Sequence, residues 1–360
     1  MYEATALVDP QGANLPFLET LRERLVVVPK PTRHEKLKHF GLLYGSSAVM
    51  QHVYELIERV AQTDATVLIV GESGSGKELA ANTIHRLSAR ARQPFVAVNC
   101  GAIPASLIEA ELFGYEKGAF TGAAKTHRGY VERASEGTLF LDEITEMPPE
   151  MQVRLLRVLE TGKFCRVGGD QEIRSEARII AATNRDPATA VADNHLREDL
   201  MYRLAVFPLQ LPALRARGDD VELLARHFLA GLNADAGTAK AFSKTSLTLL
   251  RTHSWPGNVR ELKNCVQRAF ILADEEVELK ELTPAARSTG TDGSCLRFAI
   301  GTSLAAIEKK TIFATLEHCA GNKRRAAEVL GVSLKTLYNR LAEYAADAAD
   351  AGPQAAANLG

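Results

Sequence analysis

At residues 67–77 the chain reads Val67-Leu68-Ile69-Val70-Gly71-Glu72-Ser73-Gly74-Ser75-Gly76-Lys77, and the organisation of the protein follows from it. An aliphatic run is followed by a glycine-rich loop of the form G-x-x-x-x-G-K, and a helical pattern follows. The glycines let backbone N–H groups converge on phosphate oxygens, the helix N-terminus adds its dipole, and Lys77 supplies a positive charge. We therefore predict a phosphate-binding loop formed by Gly71, Glu72, Ser73, Gly74, Ser75, Gly76 and Lys77, with Glu78 beside it.

Glu78 departs from the generic motif, because a Ser or Thr hydroxyl commonly meets Mg²⁺ at this position. A carboxylate there must hold the metal through water or face away from it.

About 70 residues further on, an apolar run ends in two carboxylates, Asp142 and Glu143. In a nucleotide site the first carboxylate anchors Mg²⁺ through water and the second polarises the attacking water. Together with the loop, this pair predicts a hydrolytic site.

Polar residues also follow two other predicted strands. Asn99 follows the run Phe95 to Val98, and Asn184 comes after Ile179 to Ala182. An amide in this position suits sensing of the γ-phosphate or holding of the catalytic carboxylate, although either residue alone is more often a simple strand cap. We predict functional roles for both.

Around these motifs, short apolar runs alternate with amphipathic segments from about residue 41 to 211. This alternation predicts an α/β fold, with a parallel sheet covered by helices on both faces. Residues 212–282 lack strand patterns and predict a small helical lid subdomain, and 283–301 are rich in Gly, Ser, Thr and Pro, as in a linker. Residues 302–344 predict an all-α module, and residues 345–360 predict a disordered Ala-rich tail. A short segment at residues 1–40, without a sensory domain, precedes the α/β part.

Composition excludes several classes of protein. With 46% apolar and 24% charged residues, the chain can bury a large core, and no apolar run approaches the roughly 20 residues that span a membrane. The N-terminus lacks a basic segment followed by an apolar one, and the five cysteines are scattered. Both observations predict a cytoplasmic protein with free thiols. Because the net charge is −1, any binding of nucleic acid must come from a local patch.

The hexapeptide Gly118-Ala119-Phe120-Thr121-Gly122-Ala123 carries a resemblance to a known family. An apolar residue at the tip of a glycine-flanked loop indicates a surface for a protein partner. The sequence resembles the sigma-54-dependent transcriptional activators, bacterial enhancer-binding proteins of the AAA+ class, over about four-fifths of its length. In that family the hexapeptide contacts sigma-54, and an acidic residue after the loop lysine is usual, which agrees with Glu78.

The resemblance also implies roles for residues that the pattern alone leaves ambiguous. Asn99 matches the residue that restrains Glu143 until nucleotide state and partner contact release it. Arg197 and Arg203 match arginine fingers that reach the γ-phosphate of a neighbouring subunit, although pairing with adjacent acidic residues is the alternative. Arg260 matches the family's second sensor, carried by the lid. The implied cofactors are ATP and Mg²⁺, and the implied assembly is an oligomer between dimer and hexamer.

The last module has the pattern of a helix-turn-helix. Gly321-Asn322 separates the first helix from a short second one, Gly331 suits a left-handed turn, and Ser333 can cap the final helix. Residues 302–344 contain seven Lys and Arg but only four Glu, so the module carries a local excess of positive charge. The predicted apolar faces are Leu304, Ile307, Ile312, Leu316 and Cys319 in the first helix, Ala326, Ala327, Val329 and Leu330 in the second, and Leu334, Leu337, Tyr338 and Leu341 in the third.

The positive charges of this module predict contact with DNA, although a solvated three-helix bundle is the alternative. Phosphates would meet Lys323, Arg324 and Arg325, and base edges would meet the final helix beyond Ser333, through Lys335, Thr336, Asn339 and Arg340. The module resembles the Fis-like DNA-binding domain that ends members of the family, and its long first helix is expected to dimerise.

The sequence thus predicts a transcriptional activator that binds enhancer DNA and uses ATP hydrolysis in a ring to remodel the sigma-54 RNA polymerase closed complex. Two alternatives are a passive DNA-binding regulator that binds nucleotide without output, and an AAA+ chaperone or helicase with unrelated substrates. Because only about 40 residues precede the AAA+ segment, we expect control by a separate regulatory protein, by expression level or by a related subunit in a hetero-oligomer.

Overall fold

The computed structural model describes residues 38–279, 303–319 and 321–350. The chain divides into two compact units, residues 1–282 and 283–360. The predicted N-terminal segment lies almost entirely outside the described residues, as does nearly all of the predicted linker. Among the described residues, no helix combines the length and apolarity that crossing a membrane requires.

The first unit holds eleven strands and ten helices within its described residues. The strands are β1 (His39–Phe40), β2 (Leu43–Tyr44), β3 (Val67–Val70), β4 (Phe95–Asn99), β5 (Thr138–Asp142), β6 (Lys163–Phe164), β7 (Ile173–Arg174), β8 (Arg178–Thr183), β9 (Phe207–Gln210), β10 (Ala241–Phe242) and β11 (Glu276–Val277). The helices are α1 (Ala48–Ala61), α2 (Lys77–Arg86), α3 (Ile108–Phe113), α4 (Tyr130–Arg133), α5 (Pro149–Thr161), α6 (Pro187–Ala192), α7 (Glu198–Leu204), α8 (Asp220–Ala236), α9 (Lys244–Thr252) and α10 (Asn258–Leu272), with 3₁₀ turns at Ile144–Glu146 and Leu214–Ala216.

Five strands form the central sheet in the order β4-β5-β8-β3-β9, and every pairing is parallel. Strand β3 is buried along its whole length because helices cover both faces of the sheet. Its alternate residues enter two separate apolar clusters: Leu68 and Val70 pack in one, Val67 and Ile69 in the other. This confirms the predicted α/β fold.

Strand β9 was absent from the sequence prediction. Its pattern is broken by Pro208, which would interrupt a central strand, but β9 is the edge strand beside β3. The amides of Phe207 and Leu211 donate to the carbonyls of Thr66 and Val70. Because successive backbone nitrogens along a strand point to opposite sides, the nitrogen of Pro208 faces away from β3.

The lid subdomain is built from α8, α9 and α10 around Trp255, which is fully buried and donates its indole N–H to the Leu250 carbonyl. It is not purely helical as predicted, because β10 and β11 form a two-residue parallel pair. Pairs this short carry too little periodicity to be recognised in a sequence.

The second unit contains α11 (Leu304–His318), α12 (Lys323–Leu330) and α13 (Leu334–Asp350). Its described core is small: Ile312, Ala326, Ala327, Leu337 and Tyr344 are buried.

Several predicted core positions of this unit are therefore wrong. Leu304, Val329, Leu334 and Tyr338 are exposed, because a three-helix module of this size has one narrow core. The predicted disordered tail is wrong for residues 345–350, which continue α13. These residues are mostly Ala, the strongest helix former. Residues 351–360 lie outside the described part.

Truncation of a central core residue should destabilise the first unit strongly. Leu139 is completely buried in β5, so Leu139→Ala should lower the free energy of unfolding by roughly 2–5 kcal/mol through lost burial and a residual cavity. Leu249→Ala, at a partly exposed site on α9, is the matched control and should change it by about 0.5 kcal/mol or less. Urea unfolding measures both, and equal losses would contradict the assigned core.

Candidate functional site

The predicted site residues gather at the carboxyl ends of the parallel strands. Asn99 pairs in register with Asp142 across β4 and β5, and Val70 pairs with Thr183 across β3 and β8. The Gly71 amide donates to the Thr183 carbonyl at 3.1 Å, which joins the loop to the end of β8. In open α/β sheets this edge is where ligands bind.

The loop has the predicted strand–loop–helix arrangement. Gly74 and Gly76 have φ of 75° and 106°, a region that suits glycine, and a Cβ on Gly74 would lie 2.4 Å from the Gly257 carbonyl oxygen. Lys77 is buried at the start of α2, with its ammonium donating to the Gly71 carbonyl at 3.0 Å. Burial lowers the pKa of Lys77, while the charges of Asp142 and Glu143 oppose this shift. These interactions place the cation beside both carboxylates.

Glu143 stands in a left-handed conformation, with φ 54° and ψ 48°, which is uncommon for a residue with a side chain. Its amide donates to the Asp142 carboxylate at 3.0 Å. Such backbone strain is found where surrounding structure holds a functional side chain in place. The turn therefore directs Glu143 away from the line of β5.

Asn99 lies close to Glu143 without binding it. The Asn99 side-chain oxygen accepts from the amides of Gly101 and Ala102 at 2.9 and 3.0 Å. A Cβ on Gly101 would lie 2.8 Å from a Glu143 carboxylate oxygen and 3.5 Å from the Asn99 oxygen. Within the described residues no hydrogen bond joins the two side chains, so direct restraint of Glu143 is not seen in this conformation.

Asn184 is exposed and has no hydrogen bond within the described ranges, whereas its neighbour Thr183 is buried. The Thr183 hydroxyl lies 3.4 Å from that of Thr145, in the 3₁₀ turn after Glu143. Arg185 also pairs with Glu146 at 2.8 Å. Thr145 and Glu146 were not predicted from the sequence, because nothing in their spacing indicates contact with the end of β8 or the residues after it.

Of the two predicted arginine fingers, one lies directly before α7 and the other lies in its last turn. Arg197 precedes it and pairs with Asp199 at 2.7 Å, which matches the alternative interpretation for this residue. Arg203 is exposed and has no ion pair in the part of the chain that the structure describes. Both residues are therefore at the surface.

The lid contacts the loop directly. Arg260, the predicted second sensor, donates to the Ser73 hydroxyl at 3.3 Å. Glu72 pairs with Arg215 at 2.5 Å, and this hydrogen bond is the main reason why the pKa of Glu72 is lowered. Glu78 is exposed in the first turn of α2. The side chain of Glu72 therefore faces the lid.

The hexapeptide loop lies in the segment between β4 and β5. Gly118 and Gly122 have φ of 87° and 108°, and the Gly118 amide donates to the Ala123 carbonyl at 2.9 Å. Phe120 is 43% exposed and contacts the Tyr115 ring edge-on at 4.9 Å. Ala119, Thr121 and the two glycines are at the surface or partly so, while Ala123 is buried. The loop thus presents an apolar ring and a hydroxyl.

A charged cluster anchors the base of this loop. Arg166 donates to Glu116 at 2.6 Å and to Glu132 at 2.9 and 3.0 Å. Burial alone would raise the pKa of Glu132, but Arg166 and Arg128 hold it below its usual range. A Cβ on Gly168 would also lie 2.7 Å from that of Ala119. The loop therefore packs against the segment between β6 and β7.

The second unit forms the predicted helix-turn-helix elements. The Asn322 side chain caps α12 by accepting from the Arg325 amide, Gly331 has φ 66°, and the Ser333 hydroxyl accepts from the Thr336 amide. The exposed residues include Lys323, Arg324, Arg325, Ser333, Lys335, Thr336 and Asn339.

Arg340, which is predicted to contact DNA, forms ion pairs within the second unit. It pairs with Glu308 at 3.0 Å and Glu343 at 3.1 Å, and the hydrogen bond to Glu343 is the largest cause of its raised pKa. The sequence could not place α11 beside α13, so this ion pair was missed.

The sheet order, phosphate-binding loop and helical lid together define an AAA+ ATPase domain. Three family models match consecutive parts of the chain: the sigma-54 interaction domain at residues 43–210, the AAA+ ATPase lid domain at 215–294, and the bacterial regulatory protein, Fis family, at 303–344. The transcriptional regulatory protein FlbD of Caulobacter vibrioides is 44% identical over 85% of this chain and 70% of its own length. The chain belongs to the sigma-54-dependent transcriptional activators.

Further relatives and solved structures are similar to this chain over most of its length. Nitrogen fixation protein AnfA of Azotobacter vinelandii is 44% identical over 86% of this chain, which spans 58% of AnfA. A crystal structure of NtrX from Brucella abortus matches 91% of this chain and 71% of its own, with 34% identity and a TM-score of 0.66. The same protein in complex with ATP matches with a TM-score of 0.62 and 33% identity, over 91% of this chain and 73% of that one.

Proposed function

We propose that this chain hydrolyses ATP within an oligomeric ring and uses the energy to remodel the closed complex of sigma-54 RNA polymerase into an open complex. The observation that carries the proposal is the placement of the Phe120 loop in the segment joining β4 to β5. Those two strands end in Asn99 and in Asp142-Glu143. The segment that carries the loop begins directly after Asn99, so a change at this edge of the sheet acts on the start of that segment, while its other end enters β5 at the opposite edge.

The chain's own residues divide the chemistry among them. Backbone amides of the phosphate-binding loop and Lys77 hold the phosphates, and the carboxylate of Glu143 orients water and takes up its proton. Arg197 and Arg203 serve the site of the neighbouring subunit, so Arg197 must leave Asp199 on assembly. Arg260 and Asn184 report the state of the terminal phosphate.

A magnesium ion fits the donor set. The described residues contain no cluster of three or more His, Cys, Asp or Glu that could hold a metal by itself. Mg²⁺ is commonly held by one or two carboxylates together with substrate phosphates and water. Asp142, at the end of β5 and close enough to Lys77 to influence its pKa, is the residue that would hold it. When bound, the ion neutralises phosphate charge during transfer.

Open-complex formation tests the proposal. Purified protein, sigma-54 holoenzyme and an enhancer-bearing promoter should yield heparin-resistant open complexes with ATP and none with a non-hydrolysable analogue. Promoter opening with the analogue would contradict the coupling. Absence of ATP turnover would favour a passive DNA-binding regulator, and remodelling of unrelated proteins would favour a chaperone.

We propose that the second unit binds enhancer DNA as a dimer. Base readout is assigned to Lys335, Thr336 and Asn339, and phosphate contact to Lys323, Arg324 and Arg325. The exposed apolar residue Phe313 on α11 supports its use as the dimerisation helix.

Asn339→Ala should therefore weaken binding of enhancer DNA about 10-fold, because a lost bidentate base contact costs roughly 1–3 kcal/mol. Arg340→Ala should cost less, since its guanidinium is engaged by Glu308 and Glu343. Fluorescence anisotropy at fixed salt, with enhancer and scrambled duplexes, measures both. A larger loss for Arg340→Ala would reverse the assignment.

A further inference from the structure

Three successive carbonyl groups of the phosphate-binding loop face the lid. The Ser73 carbonyl accepts from the Asn258 side-chain amide at 3.0 Å, and the Gly74 carbonyl accepts from the Val259 amide at 3.0 Å. The Ser75 carbonyl accepts from the Arg217 guanidinium at 2.7 Å. All three donors belong to the lid, two at the start of α10 and one just before α8.

These contacts fix the direction of the loop's amides. In a trans peptide unit the C=O and the following N–H point in opposite directions. Holding the Ser73 and Ser75 carbonyls on the lid side therefore turns the Gly74 and Gly76 amides to the other side. No hydrogen bond within the described residues uses either of these two amides. Convergent free amides are what a phosphate requires.

Asn258 is built into this position. It is completely buried, and its φ of 53° lies in the left-handed region that Asn tolerates better than most residues. Its side-chain oxygen accepts from the Leu214 amide at 2.8 Å, while its NH₂ group donates to Ser73 and, at 3.1 Å, to the Glu72 carboxylate. One side chain thus connects both lid segments to the loop.

Arg217 is likewise a buried lid residue that hydrogen-bonds to the loop. It is 2% exposed and donates to the Pro212 and Ser75 carbonyls, although burial lowers the pKa of its guanidinium to about 10. A buried cation is costly unless each donor is satisfied, so its retention beneath the loop calls for a structural reason.

We propose that Asn258 and Arg217 are positioning residues that hold the loop amides in the phosphate-binding orientation. Neither needs to touch the nucleotide. The inference rests on the proposed nucleotide site and goes beyond it, because it makes phosphate affinity a property of the contact between lid and loop.

Calorimetric titration of the full chain with Mg·ATP, Mg·ADP and adenosine tests the proposal. Asn258→Gly keeps the left-handed backbone and removes the side-chain hydrogen bonds. It should weaken ATP and ADP about 10-fold and leave adenosine within twofold, because adenosine lacks phosphates. Arg226→Ala, which breaks the exposed Arg226–Glu222 pair on the lid, is the control and should bind all three like the parent.

Two outcomes overturn the inference: unchanged ATP affinity in Asn258→Gly, or equal losses for ATP and adenosine. Failure of the parent itself to bind ATP would instead overturn the proposed function. If Asn258→Gly unfolds, Asn258→Asp provides the test. It keeps the acceptor for the Leu214 amide and loses the donor to Ser73, so the same separation of ATP from adenosine is expected.

Discussion

Glu143→Gln should abolish ATP turnover while leaving ATP binding intact. The carboxylate is the group placed to take a proton from water, and general base catalysis contributes about 10²- to 10⁴-fold. Glutamine has nearly the same shape, so it removes the base without disturbing the left-handed turn at this position. Phosphate release measured beside equilibrium nucleotide binding separates the two effects.

Glu146→Gln is a matched control for this prediction. It makes the same chemical change three residues away, in a side chain that pairs with Arg185 at the surface. We expect turnover within a few-fold of the parent, because an exposed ion pair contributes little to stability. If Glu143→Gln retains more than about a tenth of parental turnover, another group must supply the base.

Phe120→Ala should eliminate open-complex formation and leave the ATPase active. Phe120 is the large apolar side chain that the hexapeptide loop exposes, and its only ring contact in the described residues is with Tyr115. Truncation of an aromatic anchor at the centre of a protein interface costs at least 2 kcal/mol in strong cases, or about 30-fold in affinity. Promoter opening, which requires this contact in each cycle, should fall by at least that factor.

The control for this variant is Leu249→Ala, which removes an exposed aliphatic side chain from the lid. It should open promoters like the parent. The proposed partner surface would be wrong if Phe120→Ala melted promoters normally. A parallel loss of ATP turnover would instead show that the residue supports the fold of the site.

The sequence predicted the parts of the site that lie on continuous motifs. The loop at Gly71 to Lys77 and the pair Asp142-Glu143 each combine a strand with its terminal polar residues, so their local pattern carries the geometry. Residues that act across elements were missed. Asn258 lies 185 positions from Ser73, and only the folded lid brings them together.

The errors in the second unit have a related cause. Helical periodicity identifies an apolar face, but it does not say how much of that face a neighbour covers. In a three-helix module the covered strip is narrow, so Leu337 is buried while Tyr338 remains exposed. The ion pair of Arg340 was missed for the same reason, since its partner Glu308 belongs to another helix.

Pro208 has a consequence for assembly. A sheet edge with an unbroken row of amides is a template for adding a strand from another molecule. In β9 the outward nitrogen at Pro208 carries no hydrogen, so this row is interrupted in the middle of a four-residue strand. Intermolecular strand addition is therefore disfavoured at this margin, so a molecule that bound here would have to be recognised through side chains and could leave again without disrupting the sheet.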